Sequence, residues 1–378
     1  MILPSRHLRP VRTSVLLAVA CVAAAPSPAL LNIDGTKNQI FVFGGVGFGY
    51  DSNIFSQRDG EGDYSITAHA GTELKRRAGI ISVDATARVD YVRYGEFTEE
   101  NAWNPRFSVE FGKSSGRTTG SLKISAYRES RADNAINLRT NSWSLPVEFG
   151  LRYPINEKLY LTSTTGYLRR TYRDNAALLD YTDWSEALDL YYVYTSKLDL
   201  FAGYRIRSSR TSDSRRSLDH WFNLGATGGL FSKMSGTVRF GYQLRDVRGE
   251  DQYGQFSASA SVNWPITRKL LLSLQGSRDF STIATGTSVD STSAALTALY
   301  TYSSKLDFHA MLSAGRNNFL NESVARKDTY FSWETGARYR MNDHLQMGVT
   351  YSYLKNRSSL LLADFDNHGF AFDVSSRY

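Results

Sequence analysis

The chain has 378 residues, 42% of them hydrophobic and 13% aromatic, and its 44 basic and 37 acidic residues give a formal charge of +7. That excess is too mild to argue for nucleic acid as a partner, and the length allows one large all-β domain or two average ones. A single cysteine, Cys21, excludes a disulfide framework and a thiolate metal site.

The N-terminus reads MILPSRHLRPVRTSVLLAVACVAAAPSPALL. Arg6, Arg9 and Arg12 precede a short apolar run from Val15 to Ala25, and small residues follow. This is the layout of a secretory signal peptide, and the run is too short to span a membrane. Cleavage is expected after Ala29, with a cut nearer Ala24 as the alternative. Residues 1–29 are then a removed leader, 30–38 a short segment, and 39–378 one domain. Without the leader arginines, 41 basic residues face 37 acidic ones, a charge of +4. Cys21 leaves with the leader; Ala18 stands where a lipoprotein signal needs a Leu-like residue.

The next stretch, FVFGGVGFGYDSNIF (41–55), is rich in glycine. A dinucleotide fingerprint counted from Gly45 would put its third glycine at position 50, which is Tyr50, and no helix pattern follows. The stretch reads instead as a first strand over 39–51. Phe41 and Phe43 share one face and Val46, Phe48 and Tyr50 the other, so the pair Gly44–Gly45 is expected to form a bulge that switches the register.

Period-2 alternation continues along the chain. Ile81, Val83, Ala85, Ala87, Val89 and Tyr91 alternate with polar residues, as do Phe256, Ala258, Ala260, Val262 and Trp264, and Leu345, Met347, Val349, Tyr351 and Tyr353. A helix would scatter such residues around its circumference. Short turns (PINE, TSK, PITR, SSK, MND) alternate with longer polar stretches, and Lys197, Lys233, Lys269 and Lys305 recur every 36 residues. The pattern predicts about 18 strands, with 16 as the alternative, joined by short turns and long loops. Pro146, inside SWSLPVEFGL, removes a ladder donor, and a bulge is expected there. A propeller would need four strands in a repeat of this length. The C-terminal GFAFDVSSRY places Phe370, Phe372, Val374 and Tyr378 on one face, a closing strand that resembles the assembly signal of bacterial outer-membrane barrels. The expected fold is an all-β, antiparallel up-and-down transmembrane barrel with short periplasmic turns and long outer loops. Aromatics beside the turns, such as Tyr153 and Trp264, fit its interfacial girdle.

The residues GVGFGYDSNIF also resemble the start of the β-barrel porin 2 family, whose Tyr-Asp-Ser-Asn motif corresponds to Tyr50, Asp51, Ser52 and Asn53. The resemblance implies an outer-membrane barrel often associated with exopolysaccharide production or export. From the residues alone, Asp51 and Asn53 read as loop-shaping groups at a strand end rather than as a metal site.

In such a barrel the polar phase of each strand faces water. The expected pore-lining residues are Asp84, Arg88, Asp90, Glu148, Arg152, Arg205, Arg207, Arg239, Gln243 and Arg245, and charges of both signs would define a constriction. The expected function is a porin-like channel for small polar solutes or saccharides. The alternative is a structural barrel or adhesin, with the arginine-rich RSSRTSDSRRS (207–217) as its loop surface. The partners are outer-membrane lipid, lipopolysaccharide and the membrane's assembly machinery. No cofactor and no enzyme activity are expected: His69, His220, His309, His344 and His368 are scattered and belong to no nucleophile motif.

Overall fold

The computed structural model describes residues 31–33, 38–77, 79–173, 175–320 and 325–378; the leader lies outside them. The described chain is almost entirely strand. A three-residue piece, β1 (Leu31–Ile33), pairs with the start of β2 (Asn38–Asp51). Then follow β3 (Asp63–Arg76), β4 (Ile81–Tyr94), β5 (Ala102–Lys113), β6 (Thr119–Asp133), β7 (Leu138–Pro154), β8 (Leu159–Arg173) and β9 (Tyr181–Val193). The second half contains β10 (Leu198–Thr211), β11 (Arg216–Phe231), β12 (Met234–Val247), β13 (Tyr253–Pro265), β14 (Leu270–Thr282) and β15 (Ser288–Thr301). It ends with β16 (Leu306–Phe319), β17 (Lys327–Arg340), β18 (Leu345–Ser358) and β19 (Phe365–Arg377).

Each strand from β2 to β19 pairs antiparallel with its neighbours in sequence, and β19 returns to β2. Eighteen strands thus close into a barrel, and closure removes the open edges that a lipid-exposed sheet could not satisfy. A strand of about 14 residues is roughly 46 Å long, enough to cross a bilayer at the usual tilt and project beyond it.

The repeat has a local cause at the turn end. In five turns a side-chain oxygen accepts hydrogen bonds from the backbone N–H groups two and three residues on. Asn156 does this for Lys158 and Leu159, and Thr195 for Lys197 and Leu198. Thr267, Ser303 and Asn342 repeat the contact. The launch sequences of the hairpins are therefore one Asx/ST turn written several times.

Three local expectations are corrected. No bulge marks Gly44–Gly45: β2 stays in register with β3 from Asn38↔Arg76 to Asp51↔Asp63, so Phe41 and Phe43 face the lumen. There Phe41 carries the Arg377 guanidinium 3.9 Å above its ring. The glycines serve the closing seam instead. A Cβ on Gly45 would lie 2.6 Å from both the Val374 carbonyl oxygen and the His69 ring. Nor does Pro146 cause a bulge. The β6–β7 ladder skips from Ile124↔Val147 to Tyr127↔Ser144 and resumes in the same register, so the missing N–H costs pairs but inserts no residue. Among the described residues, the one register shift in the ladders falls at Gly229/Phe231, beside the tightest turn.

The loops are shorter than the polar stretches implied, because strands extend into them. The longest connection at the loop end is 52–62, and those at 134–137 and 212–215 have four residues. The stretch 207–217 is mostly strand end: Arg207 lies on β10 and Arg216 on β11, and only 212–215 form a turn.

Candidate functional site: the lumen

Face assignment follows from the ladders, since directly opposed residues share a face. Outward go Val46, Phe48 and Tyr50 on β2, Phe222 and Leu224 on β11, and Phe256, which is 78% exposed. Trp103, Trp184 and Tyr242 stand near the loop end, and Tyr153, Trp264 and Tyr300 near the turn end. The outer surface is an apolar band between two aromatic rings, the pattern of a lipid-facing wall.

All ten residues expected to line the pore lie on the opposite, inward face, but they divide into two groups. Arg205, Arg207, Arg239, Gln243 and Arg245 gather on one side, on β10 and β12. Arg239 grips Asp189 of β9 with two hydrogen bonds of 2.9 Å and donates to Asn223 at 2.8 Å, while resting on the Phe201 ring. Arg205 donates to Asp279 at 2.9 Å and stacks 4.4 Å over Trp221. Arg207 bonds Asp219 at 2.7 Å and Asp279 at 3.3 Å. Arg245 is fully buried, holds Asp219 at 2.6 and 2.9 Å, and donates to the Ser281 carbonyl at 2.9 Å and to Ser288 at 3.2 Å. Gln243 is equally buried. Arg207, Gln243 and Arg245 brace a filled corner of the barrel, whereas Arg239 also borders a recess of about 350 Å³ together with Asp189 and Arg152. The ten inward residues are thus part brace and part recess wall, which is the correction to the expected pore lining.

Asp84, Arg88, Asp90 and Glu148 stand on the other side, and Arg152 lies between the two groups, on the recess it shares with Arg239. Arg88 is half-exposed and donates to Asp90 at 2.8 Å; Asp84 pairs with Arg77 at the turn end. Arg152 lies 3.8 Å over the Tyr160 ring. Glu148 and Arg88 share a recess of about 360 Å³ with Arg106, Lys123 and Ser125. A larger recess of about 770 Å³ is lined by Ser65, Thr67, His69, Arg88, Arg340 and Asp373. Another of about 770 Å³ lies beneath the loop end, between Arg131 of β6 and Asp328, Ser332 and Glu334 of β17. The open lumen is therefore polar and two-signed.

Sequence reading missed Asp189, Asp219 and Asp279, the acids that neutralise the arginine corner, and Arg106 and Lys123 of the open wall. All five occupy the polar phase of alternating strands, so the same periodicity contained them. Which acid meets which arginine could not be read, because Arg205 and Asp279 lie four strands apart.

The Tyr-Asp-Ser-Asn residues stitch the first loop to the closing strand. Asp51 accepts the Asn53 N–H at 2.8 Å, and the His368 N–H donates to Ser52 at 2.8 Å. The Asn53 amide donates to the carbonyls of Gln57 and Asp366 at 2.7 and 3.1 Å. Gly60 makes room for that amide, since a Cβ there would overlap it. At the other end of the seam Phe370, Phe372 and Val374 face outward. Tyr378 exchanges two backbone hydrogen bonds with Val42, at 2.9 and 2.8 Å, and stacks on His344. Among the described residues no group of three His, Cys, Asp or Glu side chains could hold a metal ion.

The model of the family described as "Putative beta-barrel porin 2" matches residues 206–378, the part that includes the closing strand but not Tyr50–Asn53. No curated protein matches the chain. Among solved structures, a BenF-like porin from Pseudomonas fluorescens Pf-5 is similar at 10% identity and a TM-score of 0.52, covering 90% of this chain and 99% of its own. OpdK from Pseudomonas aeruginosa, solved with vanillate, is similar at 12% identity and a TM-score of 0.51, with the same coverage. Such identities speak for the barrel fold.

Proposed function

We propose that this chain, whose residues 206–378 match the model described as "Putative beta-barrel porin 2", is an outer-membrane channel for small polar solutes. The turn end faces the periplasm and the loop end the cell exterior. The observation that carries this reading is the inversion of faces: large aromatics stand exposed on the outside, while the inside holds charged, hydroxyl-lined recesses. A polar interior is a defect in a packed core and the working surface of a conducting barrel. The similar structure named as a BenF-like porin supports it. Residues 1–29 act as the export leader, the closing strand is what the assembly machinery reads, and lipopolysaccharide contacts the outer aromatic ring. Saccharides suit the lumen's mixture of hydroxyl and charged groups, and a link to exopolysaccharide export belongs to the same reading.

An adhesin is the weaker alternative, because the connections at the loop end are short and offer little surface to a partner. A channel also fits better than an enzyme. His69 and His309 face the lumen, His220 and His368 bond tyrosines on the lipid face, and His344 sits in a turn.

Swelling of liposomes that contain the refolded barrel tests the reading, with neutral and carboxylated saccharides of increasing size. Rapid swelling with mono- and disaccharides and none with long oligosaccharides is expected. No swelling by a correctly folded barrel would overturn it.

A further inference from the structure

Two ladders stop partway, both in the loop half. β5 and β6 pair from Lys113↔Gly120 only as far as Arg106↔Tyr127, although β5 continues to Ala102 and β6 to Asp133. Pro105, the residue just past the last pair, brings no N–H. β13 and β14 pair from Pro265↔Leu271 only to Ala258↔Arg278, although their strands continue to Tyr253 and Thr282. The neighbouring ladders run on toward the loops: β12–β13 reaches Arg245↔Tyr253 and β14–β15 reaches Thr282↔Ser288. Eight strands separate the two gaps one way round the barrel and ten the other way. The turn half is thus one closed ring, and the loop half is split into two facing leaves.

At the β13–β14 gap, side chains of the eight-stranded leaf replace the missing backbone donors. The Ser257 hydroxyl donates to the Arg278 carbonyl. Arg207 donates to the Phe280 carbonyl at 2.5 Å and Arg245 to that of Ser281 at 2.9 Å. Asp279 of the ten-stranded leaf receives Arg205 and Arg207. Across the mouth the leaves touch through several contacts. At the β5–β6 gap the Ser130 N–H donates to Asn104 at 3.1 Å, and Arg139 pairs with Glu100 at 2.8 Å and donates to the Tyr94 hydroxyl at 2.8 Å. Leu179 N–H meets the Ala284 carbonyl at 2.7 Å, and Asn137 donates to the Ser56 carbonyl at 2.8 Å.

We propose that the loop half is a two-leaved gate, shown here closed. Its hinges are the last pairs, Arg106↔Tyr127 and Ala258↔Arg278, and it has a latch at each gap: Asp279 held by Arg205 and Arg207, and Glu100 held by Arg139. Parting an ordinary ladder would strand a row of backbone groups at once. Across these gaps side chains stand in for part of the ladder, and at β13–β14 the Arg207 and Arg245 side chains can follow a carbonyl or exchange it for water one at a time. A leaf with four or five unpaired residues beyond its hinge has a lever of about 15 Å, so a small rotation at the hinge is amplified at the rim.

The gate rests on the channel reading for its purpose but not for its test. Spin labels on Gln252→Cys in one leaf and Leu362→Cys in the other report the distance across the mouth of the full barrel in lipid vesicles. With both latches intact a dominant short distance is expected. Asp279→Asn should raise the ratio of a longer population to the short one by roughly tenfold or more. Asn137→Ala, which cuts a contact far from the corner, serves as the second variant and should shift the ratio in the same direction. One unchanged distance in all three proteins would overturn the gate. Because no current is measured, a non-conducting barrel with two populations would refute the channel alone, and a conducting barrel with one population the gate alone.

Discussion

Arg245 offers the sharpest test of how the barrel corner is held. Its guanidinium is completely buried beside Asp219, itself 1% exposed, and its donors serve both Asp219 oxygens, the Ser281 carbonyl and Ser288. Arg245→Met keeps the volume of the stem and removes every donor. Breaking a buried pair from one side typically costs about 3–5 kcal/mol. Asp219 retains Arg207, which places the charge penalty near the bottom of that range, and an orphaned Ser281 carbonyl adds about 1 kcal/mol. The expected loss is about 3–4 kcal/mol. It is measured by urea titration of the barrel in lipid vesicles, with tryptophan fluorescence as the probe and an unchanged m-value as the sign that only stability moved. Adding Asp219→Leu should not recover the loss, because Arg207 then loses Asp219 and must share Asp279 with Arg205. A single variant within about 1 kcal/mol of the parent would refute the reasoning.

Gly45→Ala forces a methyl against the Val374 carbonyl and should cost about 2 kcal/mol, read as a lower midpoint in the same titration. Glu186 shares the lipid face with Trp184 and Leu188 and is held by the Ser163 and Thr165 hydroxyls. Glu186→Leu should therefore stabilise the membrane-inserted barrel by about 1 kcal/mol, and a destabilised variant would argue against that face being lipid-exposed. Deleting Tyr378 removes two backbone hydrogen bonds to Val42 at the closing seam. It should lower the yield of heat-modifiable barrel in a refolding assay, whereas Tyr378→Phe should leave that yield unchanged.

Much of this fold was legible because a membrane barrel repeats one local rule. Alternation gave each strand its faces, and Asn156, Thr195, Thr267, Ser303 and Asn342 marked turns that the structure shows to be alike. The polar phase also identified inward residues correctly, from Asp84 to Arg245. What stayed hidden is curvature and the contacts it creates. Arg205 and Asp279 meet although four strands separate them, and no one-dimensional pattern records that approach. The glycines of β2 misled for a related reason. Their apolar neighbours change face across Gly44–Gly45, which looks like a bulge, whereas both rings point inward, Phe41 beneath Lys75 and Arg377 and Phe43 beside the His69 ring.

The central claim is a water-filled lumen whose open wall is the β4–β6 side. Single-channel recording from the refolded barrel in a planar bilayer tests it most directly, with the parent compared to Arg88→Glu combined with Arg106→Glu. Both arginines border the recess shared with Lys123 and Glu148, away from the braced corner. The account predicts stable conductance steps and a reversal potential that shifts toward cation selectivity in the double variant. A folded barrel with no steps, or steps whose selectivity ignores both substitutions, would contradict it.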